Sequence, residues 1–176
     1  MIDPVTAHRW SFRALYLGVA ALLLFLRLLP LSTAPGGIPG PDLLLCLTFA
    51  WVLRRPDCVP PLALAAVFLL EDLLTMRPPG LWTLLVLLAA EFLRDRRPMM
   101  RSLPFLAEWS FVAAVTAAVV LGNRVLLAIT MVPQPGLGLT LLQLVMTLVA
   151  YPLVVAGSRY LFGVQPAELD GAGGRT

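Results

Sequence analysis

The chain has 176 residues, of which 59% are hydrophobic and 13% charged, with a mean hydropathy of +0.87. Soluble domains carry roughly 25% charged residues, so this composition excludes a water-exposed globule and makes a bilayer the solvent. The net charge is +3 and every basic residue is arginine; the arginines punctuate the apolar runs instead of forming a patch, which excludes a nucleic-acid surface.

In lipid, backbone hydrogen bonds must close within each segment. The apolar runs are of helical length and show no barrel-like alternation. We therefore expect an all-α membrane protein, a six-helix transmembrane bundle, in one domain over residues 1–162. The first span is read as 12–31, preceded by Arg9 and Arg13. A signal peptide is the competing reading, but Arg27 and Pro30 fall where small cleavage-site residues belong, so a retained helix is expected. An uncharged Pro/Gly-rich loop follows, from Leu31 to Pro41.

The second span, 42–53, is short for a crossing of about 20 residues. It borrows the Pro-rich flank, is buried by its neighbours, or is re-entrant. Arg54-Arg55-Pro56-Asp57 closes it. The third span is 61–76, ended by the turn Arg77-Pro78-Pro79-Gly80, where two prolines cannot continue a helix. The fourth is 81–93, followed by a basic loop holding Arg94, Arg96, Arg97 and Arg101. The fifth runs from Pro104 to 123 or as far as 132, with Gly122-Asn123-Arg124 as the expected membrane edge. The sixth is 137–156, with a kink expected at Pro152. Residues 163–176 read as a disordered tail. With six crossings and both termini cytoplasmic, ten arginines lie inside and three (Arg27, Arg77 and Arg124) outside, a positive-inside bias.

Glu71 and Asp72 are the most informative residues. Nine apolar residues precede them and two leucines follow. A carboxylate at that depth costs about 2.5–3.5 kcal/mol on insertion scales, so it demands a partner. Arg27 lies at a matching depth, and we expect an intramembrane polar group of Arg27, Glu71 and Asp72, with Asp72 facing the bundle interior and paired with Arg27 or with a buried polar group. Neighbouring helical residues point about 100° apart, so the two carboxylates diverge and do not form an aspartyl dyad. Glu91 and Glu108 are expected to reach nearby arginines. Arg94, Arg96, Arg97 and Arg101 are expected to meet anionic lipid headgroups.

Ser110, Ala114, Ala118 and Gly122 recur every four residues along the fifth span. Such stripes let helix backbones approach closely, either within the bundle or against a partner helix. With Asn123 and Arg124 beyond its end, the stripe is the expected partner-helix interface. Catalysis is not expected. His8 is the sole histidine, lysine is absent, and no Ser-His, Cys-His or Ser-Lys set can be built. Cys46 and Cys58 lie in no CxxC, so no metal site or other cofactor and no disulfide framework is expected.

Several segments together resemble a known family. Pro41-Asp42-Leu43-Leu44-Leu45 opens a short helix ending in Arg54-Arg55-Pro56; Asp72-Leu73-Leu74 is followed by Pro78-Pro79-Gly80-Leu81; Tyr151-Pro152 and Arg159 come late. This order resembles the rod shape-determining membrane protein MreD family, over Pro41 to Gly80 and more loosely over Leu139 to Arg159. The resemblance implies a non-enzymatic scaffold subunit of the bacterial cell-elongation complex in the cytoplasmic (inner) membrane. It would bind the MreC scaffold and, through it, MreB, RodA and a class B penicillin-binding transpeptidase of peptidoglycan synthesis. The family's bundle is similar to the substrate-binding subunits of energy-coupling-factor transporters. That similarity supplies the alternative, a small-solute or vitamin carrier subunit.

Overall fold

The computed structural model describes residues 4–29, 39–100 and 103–162. Among them the chain is helical: α1 (Pro4–Leu28), α2 (Leu43–Arg54), a 3-10 turn at Pro56–Cys58, α3 (Pro61–Leu74), α4 (Leu81–Met100), α5 (Phe105–Ile129) and α6 (Leu137–Phe162). Three helices carry segments long and apolar enough to cross a membrane, Trp10–Leu28, Phe105–Ile129 and Leu137–Tyr160. The expected 163–176 tail, most of the Leu31–Pro41 loop, and Arg101 lie outside the described residues.

The short α2 is the centre of the molecule. Every residue from Leu44 to Leu53 is buried, and α1, α4 and α6 pack around it. A helix apolar on all sides belongs in a core, and here its neighbours bury it. Asp42 starts it, accepting the Leu45 N–H at 3.1 Å on Oδ1.

Polar side chains tie α2 to its neighbours. The Asp42 N–H donates to Thr147 Oγ1 (3.0 Å), Cys46 Sγ donates to the Thr147 carbonyl (3.3 Å), and Trp51 Nε1 donates to Ser158 Oγ (3.2 Å). The order of these contacts sets α6 parallel to α2. Tyr16 on α1 shares a 3.0 Å hydrogen bond with Thr48. Between helices in lipid, such bonds replace the missing hydrophobic drive. α1 itself buries one stripe, Tyr16, Ala20 and Leu24, each four residues on.

Contacts at the helix ends place two charged groups at opposite ends of the bundle. Arg13 donates to the Asp57 carbonyl (3.1 Å), and Arg54 pairs with Glu108 (2.9 Å). Arg27 meets Asp42 and Glu71 at the other end. Successive helices thus alternate in direction.

Three boundaries differ from the sequence reading. α4 continues through Arg94-Asp95-Arg96-Arg97 and Pro98 to Met100. The charged run ends the apolar stretch but not the helix, because arginine is a good helix former. α6 continues past Ala156 to Phe162 and α1 begins at Pro4, ahead of residue 12, whereas α5 ends at Ile129, inside the expected range of 123 to 132.

Candidate functional site at the acidic pair

The buried residues of α3 are Leu64, Val67, Phe68, Glu71 and Asp72. This is the i, i+3, i+4, i+7, i+8 pattern of a broad inward stripe. The stripe is wide enough to hold two neighbouring residues, so both carboxylates point inward and both side chains are fully buried. Their divergence sends them to different partners.

Glu71 takes Arg27. Its Oε1 accepts from Arg27 Nη1, and the same guanidinium lies 3.6 Å from Asp42 Oδ2. Of the two expected pairings of Asp72, the one with Arg27 is therefore corrected to Arg27–Glu71, with Asp42 as a second carboxylate on the same cation. Asp42 escaped notice as part of this site, although an aspartate just before an apolar helical run is a legible N-cap signal.

Asp72 instead caps α4. Its Oδ2 accepts from the Gly80 N–H (3.0 Å), the Thr83 N–H (3.2 Å) and the Thr83 hydroxyl (2.8 Å). The first turn of a helix leaves backbone N–H groups without partners. Gly80 stands at the N-cap position of α4 and has no side chain to accept them, so Asp72 does so from across the turn. The turn has to be tight for this. Thr75 Oγ1 donates to the Glu71 carbonyl at 2.7 Å, the Arg77 N–H donates to the Asp72 carbonyl at 3.1 Å, and Met76 (φ 54°) and Gly80 (φ 91°) both adopt positive φ. Each carboxylate spends one oxygen this way; Glu71 Oε2 and Asp72 Oδ1 are buried without a hydrogen-bond partner among the described residues.

The basic segment near the opposite end makes contacts within the chain. Arg94 pairs with Glu91 (2.6 Å) and donates to the Val59 carbonyl (2.7 Å). Arg97 donates to the Leu53 (2.8 Å) and Arg54 (3.1 Å) carbonyls. Those carbonyls end α2, so Arg97 satisfies them and sits at the negative end of the helix dipole. Among the described arginines of this segment Arg96 is the exposed one, lying over the Phe92 ring at 5.2 Å. Glu108, paired with Arg54, also accepts from the Tyr151 hydroxyl at 3.1 Å.

The small-residue stripe lies on the outside of the bundle. Ser110, Ala114 and Ala118 are exposed, and Gly122 is half-buried with only Leu85 near the place of a β-carbon. Each four-residue step overshoots a helical turn by about 40°, so the stripe winds from the outer surface toward α4. Asn123 and Arg124 do not extend it outward. Arg124 Nη1 donates to the Pro135 carbonyl and Thr140 Oγ1, each at 2.9 Å, and Gln134 Nε2 donates to the Arg124 carbonyl (3.1 Å). Arg124 thus braces the connection between α5 and α6, and with Asn123 it lines a cavity of about 300 Å³. This cavity is not legible in the sequence, because its walls come from five separate segments.

In comparisons with protein-family models, curated proteins and solved structures, nothing matches this chain.

Proposed function

We propose that the chain is a non-enzymatic membrane scaffold of the MreD type, crossing the bacterial inner membrane six times with both termini cytoplasmic. One observation carries the reading. The residues on which the resemblance rests are those that build the centre and its joints: Asp42 starts the buried α2, and Asp72 with Gly80 makes the α3–α4 joint. Motif residues spent on holding helices together suit a scaffold better than an enzyme. The alternating helix directions support six crossings. The gathering of Arg13, Arg54, Arg94 and Arg97 at one end suits the positive-inside bias.

In this reading the partner is a single-span MreC-type scaffold, and through it MreB, RodA and a class B transpeptidase. The exposed Ser110, Ala114 and Ala118 on α5 are part of the docking face, where a partner backbone can come close. The test is purification of the full chain from its native membrane in mild detergent. Co-purification of an MreC-type protein in stoichiometric amount is the expected result. Its absence from an intact, folded preparation sinks the scaffold and leaves the solute carrier.

A further inference from the structure

The cavity near Arg124 opens at the end of the bundle that also holds Arg27 and Glu71, between the start of α2 with Asp42, the α3–α4 turn, α5, the α5–α6 connection and α6. Its size falls at the small end of ligand pockets, which run from about 300 to 1,000 Å³. One part of its lining is apolar, with Leu81, Leu127 and Leu144. The rest is rich in hydrogen-bond donors.

The charges around this cavity do not balance evenly. Three carboxylates stand at this end, one of them, Asp42, on the cavity lining itself, and each has its own structural partner. Glu71 takes Arg27. Asp42 takes the first turn of α2 and the edge of Arg27. Asp72 takes the first turn of α4. Two arginines on the lining, Arg77 and Arg124, form no close ion pair with a carboxylate among the described residues, although Arg77 lies near enough to Glu71 for their charges to interact. The Arg77 guanidinium lies 5.5 Å from the centre of the Trp82 ring. Trp82, also on the lining, is 6% exposed, and its indole N–H is buried without an acceptor. A buried donor without an acceptor costs free energy, and guanidinium groups are suited to planar or tetrahedral oxyanions.

We propose that this cavity binds a molecule carrying a phosphate or carboxylate beside an apolar body. The acid is held by Arg77 and Arg124, and the apolar part rests on Leu81, Leu127 and Leu144. Free small acids and the headgroup region of an anionic lipid share this chemistry. The inference does not depend on the scaffold reading, because it asks for a ligand and not for a partner protein.

The test uses the full chain in nanodiscs of phosphatidylcholine, with thermal melting as the readout, since a ligand of the folded state raises the melting temperature. Hexyl phosphate and hexanoate are titrated as soluble probes, with hexanol as the neutral control. Separate nanodiscs contain phosphatidylglycerol. Saturable stabilisation by the acids but not by hexanol identifies a free solute. Stabilisation by phosphatidylglycerol alone identifies a lipid headgroup. In either case Arg77→Gln should weaken the effect at least tenfold, Leu144→Phe should weaken it by filling the apolar wall, and Arg96→Gln should leave it unchanged. The proposal is overturned if neither class of anion stabilises the protein. It is equally overturned if the folded Arg77→Gln and Leu144→Phe proteins respond as the wild type does.

Discussion

Asp72 and Thr83, eleven residues apart, are joined twice: one carboxylate oxygen accepts both the backbone N–H of Thr83 at 3.2 Å and its hydroxyl at 2.8 Å. The arrangement works as an N-cap supplied from the preceding helix. It makes α3 and α4 one mechanical unit, since the α4 dipole and the orphan N–H groups of its first turn are both answered by a residue of α3.

Replacing Asp72 should therefore act on stability in a graded way. Asp72→Leu leaves buried N–H groups of α4 without an acceptor, at about 1–3 kcal/mol for each group orphaned. Asp72→Asn keeps an acceptor oxygen and loses only the charge, so it should cost clearly less. Melting of the two variants in the same detergent checks the order. Equal losses would mean that the charge, and not the cap, is what matters.

The Arg27–Glu71 contact should show strong coupling. Arg27→Met strands a buried carboxylate, which costs about 3–5 kcal/mol for a buried pair. The lower end applies here because the Arg27 side chain is 29% exposed. The double variant Arg27→Met/Glu71→Leu removes both charges and should recover much of that loss. A double-mutant cycle in which the two effects simply add would show that the pair does not interact.

Met76 sits in the left-handed region at φ 54° and is 93% exposed, so its side chain contributes little packing. Glycine adopts this conformation without the steric cost that L-residues bear. Met76→Gly is expected to leave stability unchanged or raise it by up to about 1 kcal/mol, where most glycine substitutions lower it. A clear drop in melting temperature would show that Met76 makes a contact beyond its own turn.

On the outer face of α5, Ala114→Leu/Ala118→Leu should leave insertion and abundance intact, because both positions are exposed. Under the proposed scaffold reading, co-purification of an MreC-type partner should fall severalfold. Full retention of the partner would move the docking face elsewhere on the bundle.

Topology provides a separate check. Reporter fusions after Arg101 and at Thr176 should both read cytoplasmic under six crossings. A periplasmic carboxyl terminus would require an odd number and would undo the arginine argument.

The amino-acid sequence by itself determined the solvent, the helical class, the approximate start of every helix after α1, and the cost that Glu71 and Asp72 must offset. These follow from local quantities: hydropathy over a window, Pro/Gly breaks, and the price of a carboxylate in hydrocarbon. It also carried the N-cap signal of Asp42 and the small stripe on α5. Only the tertiary structure decided which partner each charge takes. Arg27 and Glu71 meet because the ends of α1 and α3 come together, while the Pro78-Pro79-Gly80 turn swings the α4 amino terminus within reach of Asp72. The burial of the short α2 was likewise undecidable locally, since a largely apolar helix of twelve residues suits a core as well as a partial crossing. Arg94 and Arg97 turned inward because carbonyls of the α2 end and of Val59 lay within their reach, a fact of packing between segments more than thirty residues apart.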